Sequence, residues 1–139
     1  MLRLKLMWLP DHEMIWDVTD DRPMTREILP KLGAPLTRQL RNWGEGYGIA
    51  FREWLDTDGM SSLYELSSAL NAKGISIARR IGTALSVFCY YWFDVDRSAC
   101  PEHQWVRCPM CRRSLKRHPT WHRINRYSCE RCTLVLPER

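Results

Sequence analysis

The first residues of the chain alternate between apolar and polar side chains. Within residues 2–8, leucine or tryptophan occupies every even position, with Arg3 and Lys5 between them. This period of two predicts a strand with one buried face. Residues 15–17 are predicted to form a short return strand. Residues 87–93, which are β-branched and aromatic, predict a strand that can pair with the first.

A helical pattern follows in the middle of the chain. Between Leu36 and Trp54, apolar side chains recur every three or four positions, which predicts an amphipathic helix. Gly44, Gly46 and Gly48 lie off this apolar stripe. Because each glycine costs up to about 1 kcal/mol relative to alanine, we expect tertiary packing to hold this helix together.

A second helix is predicted from Ser62 to Leu85. Ser62 and Glu65 have the spacing of a capping box, and the apolar stripe continues through Gly74, so the pattern favours one helix of about 24 residues. Gly74 on the buried stripe indicates a close crossing with another backbone or with a tryptophan. The elements together predict an α+β fold in which two main helices pack on a short antiparallel sheet, followed by a small C-terminal unit.

Charge and cysteine are distributed unevenly along the 139 residues. Residues 1–93 carry 11 basic and 11 acidic side chains, whereas residues 94–139 carry 10 basic and five acidic ones, so the whole excess of +5 is C-terminal. Five of the six cysteines lie in the same part. We therefore predict an α+β domain over residues 1–95, a linker over 96–106 and a separate unit over 107–139.

Four cysteines form two Cys-x-x-Cys pairs separated by 17 residues: Cys108, Cys111, Cys129 and Cys132. This spacing is typical of a tetrahedral Zn²⁺ site in which four thiolates leave no position open for substrate, and so predicts a structural zinc ion. Residues 106–136 resemble a zinc ribbon, which implies two metal-binding loops joined by short antiparallel strands. The glycine that often follows each loop is replaced here by Arg112 and Thr133.

Other histidines and cysteines offer alternative ligands. The first cysteine pair combined with His118 and His122 is a rival set, but its gap of six residues is short for a classical finger and the second pair would stay unexplained. Cys100 and His103 form a possible half-site. Whether either of them touches metal is left open.

The sequence lacks the common motifs of catalysis, and we expect a protein that is not an enzyme. Residues 11–13, Asp-His-Glu, are titratable but are interpreted as a solvated turn. Asp17, Asp20 and Asp21 are likewise interpreted as a solvated acidic loop, because the glycine and terminal glutamate of a calcium loop are missing.

The segment from Arg107 to Arg131 contains eight basic residues and one acid. Lysine and arginine neutralise phosphates, and an aromatic ring such as Trp121 can stack on an unpaired base, so this composition suits nucleic acid or an acidic protein partner. Equally, these basic residues can balance the negative charge of the zinc-bound thiolates and form the solvated surface of a small unit. The candidate contact residues are Arg112, Arg113, Lys116, Arg117, Arg123 and Arg126.

A second resemblance covers the part of the chain before the cysteine pairs. The order Ile15-Trp16-Asp17, Leu36-Thr-Arg-Gln-Leu40 with Trp43 and Tyr47, then Leu70, Gly74, Ala78-Arg79 and Ile81 resembles a class of small bacterial proteins. Some of these look like immunity proteins of polymorphic toxin systems. The resemblance implies a protein that works by binding a toxin or effector domain.

The leading hypothesis is thus a zinc-containing binding protein of the immunity type, and the alternative is a nucleic-acid-binding or regulatory zinc-ribbon protein. The longest apolar stretch, residues 84–93, is about half of what a bilayer crossing takes, so no membrane span is expected. The N-terminus lacks the pattern of a signal peptide, which favours the cytoplasm. The identity of the partner and the oligomeric state are left open.

Overall fold

The computed structural model describes residues 1–56, 63, 65–94 and 107–138. The described strands are β1 (Arg3–Leu6), β2 (Ile15–Asp17), β3 (Arg22–Pro23), β4 (Phe88–Trp92), β5 (Lys116–Arg117), β6 (Tyr127–Cys129) and β7 (Leu134–Leu136). The described α-helices are α1 (Thr25–Ile28), α2 (Ala34–Asp56) and α3 (Ala69–Leu85). Short 3-10 turns occupy Leu29–Lys31 and Arg123–Asn125.

The strands form one mixed sheet in the order β3-β2-β1-β4-β7-β6-β5. The α+β class is confirmed, but the prediction of a short antiparallel sheet is wrong, because β1 pairs with β4 in parallel and β4 pairs with β7 in parallel. The first parallel pair arises because the chain crosses over through α2 and α3 before it returns to the sheet, and a crossover of this length permits parallel strands. The remaining pairs are antiparallel.

The predicted pairing of the first strand with the strand after the second long helix is confirmed. Leu4 lies opposite Cys89 and Leu6 opposite Tyr91 in the register of β1 and β4. The predicted strand is confirmed, with Leu4 and Leu6 fully buried on one face of the sheet, but the prediction of a single buried face is wrong, because Lys5 on the other face is also fully buried.

Helix α3 begins later than the sequence predicts. Residues 65–68 are not helical, and the helix has 17 residues rather than about 24. Its N-cap is Ser68, whose Oγ accepts from the backbone N–H of Asn71 at 3.3 Å. The Asn71 amide donates to the carbonyls of Leu63 and Glu65 at 3.1 and 2.8 Å, which holds the preceding chain in a turn. Ser62, the predicted cap, lies outside the described residues.

The two long helices cover one face of the sheet and enclose the main core. A Cβ atom added to Gly74 of α3 would overlap the Tyr91 ring and lie 2.9 Å from Trp43 Nε1. The expected close crossing at Gly74 is therefore confirmed, with the tryptophan of α2 and a tyrosine of β4 as its partners. The Tyr91 hydroxyl donates to Asn71 Oδ1 at 2.6 Å, so helix and strand are also joined by a hydrogen bond.

The opposite face of the sheet is covered by the segment of residues 118–126. There Trp121 packs with Tyr90 and Val135 in a second, smaller apolar cluster. Strands before and after the cysteine pairs thus share one sheet through the contact of β4 with β7. The predicted boundaries at 95 and 107 stay a prediction, because the linker 96–106 lies outside the described residues.

None of the helices in the described ranges combines the length and apolar character that crossing a membrane requires.

Candidate metal centre

The first Cys-x-x-Cys pair forms a tight loop closed by backbone hydrogen bonds. Cys108 N–H donates to Arg113 O at 2.7 Å, and Arg112 N–H donates to Cys108 O at 2.9 Å. Met110 N–H points at Cys108 Sγ, 3.4 Å away. Arg112 has a positive φ of 65°, the left-handed conformation that allows the chain to turn back after the second cysteine. The loop therefore directs both sulfur atoms to the same side.

The second pair lies between the last two strands of the sheet. Cys129 ends β6, Cys132 follows in the turn, and Thr133, with φ of 54°, leads the chain into β7. Tyr91 N–H of β4 donates to Thr133 O at 2.7 Å. The turn that carries two of the four thiols is thus fastened directly to the central strand.

The four cysteine sulfurs converge on one point. They all lie within 4.8 Å of one another, and Cys111 Sγ is 3.7 Å from Cys129 Sγ. In a tetrahedral site with metal–sulfur bonds of 2.3 Å, neighbouring sulfurs lie about 3.8 Å apart. Three of the cysteines are buried and Cys111 is half-buried. This group can hold a metal ion.

The thiols have different proton affinities because their surroundings differ. The backbone N–H of Arg113 donates to the Cys111 sulfur and, as the largest effect, lowers the pKa of this thiol to about 7. Burial raises the pKa of Cys108 and of Cys132 above the usual value. A cation bound by the four sulfurs would favour the thiolate form at every position.

Helix α3 contributes a side chain that the sequence pattern does not reveal. Arg79 Nε donates to Thr133 Oγ1 at 3.2 Å, and its Nη2 donates to Cys132 O at 3.4 Å. The Thr133 hydroxyl in turn donates to the same carbonyl at 2.7 Å. The second cysteine turn is therefore supported from the helical layer as well as from the sheet.

The structure places the rival histidines elsewhere. His118 stacks on Trp121 with ring centroids 3.4 Å apart, and its Nε2 lies 2.7 Å from Ser128 Oγ. His122 caps the 3-10 turn by accepting from Ile124 N–H at 3.3 Å. Within the described ranges, the four cysteines form the one group of three or more potential ligands that converge. Cys100 and His103 lie outside those ranges.

The six candidate contact residues divide into two groups. Arg112, Arg113, Lys116 and Arg123 are exposed. Arg117 and Arg126 both pair with Glu138 at 3.0 Å, and the contact with Arg117 lowers the pKa of that carboxyl. The aromatic ring expected to stack on a base, Trp121, is 8% exposed and already stacked.

The acidic residues between Asp11 and Asp21, which are interpreted from the sequence as solvated, partly make structural contacts. Asp21 accepts from the fully buried Lys5 at 2.6 Å, and Lys5 also donates to Asn125 Oδ1 at 2.5 Å. Asp11 and Asp17 accept from backbone N–H groups two residues further along. The Lys5 cluster was not predicted, because its partners lie 16 and 120 positions away in the sequence.

Comparison with known proteins finds no matching protein family, no matching curated protein and no matching solved structure. The resemblance to immunity proteins is therefore not supported by a family match.

Proposed function

We propose that this protein is a non-enzymatic binding protein built around a structural zinc ion, and that its partner is another protein of the toxin or effector kind. The metal identity is supported by the donor set. Four thiolates at the spacing of the two pairs favour Zn²⁺, and a four-thiolate site is coordinatively closed. Such an ion stabilises the local fold of the chain and has no open coordination position for a substrate.

The observation that carries the protein-binding role is an exposed apolar surface on α2. Ile49 exposes 52% of its surface, although it belongs to the longest described helix. Ile49 lines one surface pocket together with Trp8 and Phe51, whose rings pack against each other. Clustered apolar side chains of this kind are typical of protein interaction sites. The toxin-immunity assignment takes its support from the sequence resemblance.

The alternative function is nucleic-acid binding through the four exposed basic residues Arg112, Arg113, Lys116 and Arg123. The composition of this surface favours phosphate contacts. It offers fewer charges than the sequence suggests, because two of the six candidates are engaged by Glu138. It also lacks an exposed Trp121 for stacking. We therefore rank protein binding first.

The metal assignment is tested by elemental analysis and native mass spectrometry of the purified protein. We expect one zinc ion per chain, and its loss in Cys108→Ser. Cys89→Ser is the matched control, because Cys89 is a buried cysteine outside the cluster. A protein that carries no stoichiometric metal under reducing conditions would contradict the assignment.

The partner class is tested by a pull-down of the zinc-loaded protein from its own cell lysate, with and without nuclease. A stoichiometric protein that persists after nuclease treatment supports the protein-binding function and identifies the target. Recovery of nucleic acid alone, lost at moderate salt, would favour the alternative instead.

A further inference from the structure

A groove of about 880 Å³ runs along α2 on the side of the β1–β2 loop. Trp8 and Pro10 from the loop line one wall, Leu29 lies at the 3-10 turn, and Ile49 comes from the helix. A volume of this size and a largely apolar lining are common features of ligand sites. The proposed protein-binding function does not specify what occupies this groove.

Two glycines of α2 let the β1–β2 loop approach the helix closely. A Cβ atom at Gly44 would lie 2.7 Å from Met14 Sδ, and one at Gly48 would lie 3.2 Å from the Trp8 ring. Since these positions are four residues apart, they face the same side of the helix. Side chains at either position would displace the loop that forms the opposite wall. The glycines therefore let Met14 and Trp8 pack against α2, and this packing positions the wall of the groove.

Arginines mark the two ends of the groove. Arg41 and Arg52 both line it, and neither has an ion-pair partner in the part of the chain that the structure describes. They are eleven residues apart on one helix, which corresponds to nearly whole turns and about 16 Å along the axis. Glu45 lies between them. A carboxylate in the middle disfavours a continuous polyanion such as a nucleic-acid backbone.

We propose that the groove binds an acidic and apolar peptide segment of the partner protein, an inference that rests on the proposed protein-binding function. Carboxylates near the ends of the segment pair with Arg41 and Arg52. Apolar side chains between them cover Trp8 and Ile49. This arrangement is the usual one for helix or peptide recognition, in which apolar anchors give affinity and charges fix the orientation.

The test uses a display library of random peptides about 16 residues long, enough to span three helical turns. The library is selected on the zinc-loaded chain of 139 residues. We expect enriched peptides to carry Asp or Glu on both sides of an apolar centre. Their affinity should fall as salt is raised, because the end contacts are ionic and exposed. Enrichment of basic peptides, or no enrichment, overturns the proposal.

A matched pair of variants locates the binding site. Ile49→Glu places a charge in the groove, and we expect it to weaken the selected peptides by about tenfold or more. Leu55→Glu makes the same change at an equally exposed position of the same helix outside the groove, and affinity should stay within about twofold. Equal effects of the two variants would overturn the proposal.

Charge reversal tests the role of the arginines. The double variant Arg41→Glu with Arg52→Glu should lose the acidic peptides and gain their Lys-substituted counterparts. Lys31→Glu with Lys73→Glu changes the net charge equally at exposed positions outside the groove and should do neither. Retention of the acidic peptides by the arginine variant contradicts the proposal.

The pull-down with Ile49→Glu separates this inference from the proposed function. If wild type captures a protein partner that Ile49→Glu still retains, the groove assignment fails while the protein-binding function stands. Loss of that partner only in the groove variants supports both. If wild type captures no protein, the proposed function fails and the peptide selection decides the groove by itself.

Discussion

At the scale of single residues, the two cysteine loops depend on backbone conformations that glycine adopts most easily. The sequence has Arg112 and Thr133 at these positions, and both have left-handed φ values of 65° and 54°. A residue with a side chain costs roughly 1–2 kcal/mol in this conformation. Thr133 is held there by Arg79 and Tyr91, whereas the Arg112 side chain is exposed and its loop is closed by backbone bonds.

Arg112→Gly should therefore stabilise the protein. Removing the strain of the left-handed conformation stabilises the folded state by more than glycine stabilises the unfolded chain through its greater flexibility. We therefore expect a net gain of about 0.5–1 kcal/mol in the free energy of unfolding. The measurement is denaturant unfolding of the zinc-loaded protein. Arg113→Gly is the matched control, because it removes the same charge from an adjacent exposed residue without a positive φ and should destabilise. The reverse order of the two variants would contradict the expectation.

Lys5 is the second residue whose role is decided by its surroundings. It is fully buried between the rings of Trp16 and Trp92, with Nζ 5.8 and 5.9 Å from their centroids. Burial lowers the pKa of Lys5 to about 8, although Asp21 opposes this shift. In the unfolded chain the pKa returns to about 10.5.

Lys5 should make stability depend on alkaline pH. Between pH 8 and 10.5 the unfolded state holds more protons than the folded state, so the free energy of unfolding rises with pH over this window. We expect wild type to gain about 3 kcal/mol relative to Lys5→Met across it. The measurement is urea unfolding of both proteins at several pH values. In the difference between their free energies of unfolding, the contributions of groups that titrate in both proteins cancel. A difference that stays flat or falls would refute this.

At the scale of elements, tertiary hydrogen bonds determine where α3 begins, and the apolar pattern of its sequence does not. The periodic stripe gives the correct buried face, including Gly74, Ile77 and Ile81. It gives the wrong start, because the hydrogen bonds of Asn71 to Leu63 and Glu65 set the beginning of the helix. Side-chain capping by a buried amide depends on tertiary placement, so periodicity alone does not reveal it.

Two glycine-to-alanine variants separate helix propensity from packing. Gly74→Ala should lower the free energy of unfolding by about 1–3 kcal/mol, because the new methyl group meets the Tyr91 ring and Trp43. Gly46→Ala should raise it by up to about 1 kcal/mol, since its methyl group makes only an ordinary contact of 3.5 Å with Leu70. Thermal or chemical unfolding of both variants decides this. A stabilising Gly74→Ala would mean that α3 and β4 do not pack as described.

At the scale of the whole molecule, the metal centre and the main core are joined. Strand β7 starts directly after the second cysteine turn and lies beside β4, and Leu134 and Leu136 belong to the same core as Leu4 and Trp43. The division predicted from the sequence, into a domain over residues 1–95 and a separate unit over 107–139, implies that the first 95 residues survive loss of the metal. The shared sheet leads us to expect that loss of the metal also loosens β1 and β4.

Metal removal should therefore destabilise the entire sheet. Chelation, or Cys108→Ser, is expected to lower the free energy of unfolding by about 4 kcal/mol or more, the stabilisation of a ligand at a thousandfold its Kd. Hydrogen exchange should accelerate in β1 and β4 as well as in β6 and β7, and zinc addition should reverse the effect of the chelator. Full retention of protection in β1 and β4 after metal loss would instead favour an independent C-terminal unit.

The sequence by itself determined the α+β class, the pairing of the first strand with the strand after the second long helix, and the four cysteines that converge. These features depend on local periodicity and on the short spacing within each Cys-x-x-Cys pair. The tertiary structure decided that the sheet is mixed, that Arg79 supports the second loop, and that Trp121 is buried. Each of these depends on contacts between residues far apart in the chain, which local patterns do not encode.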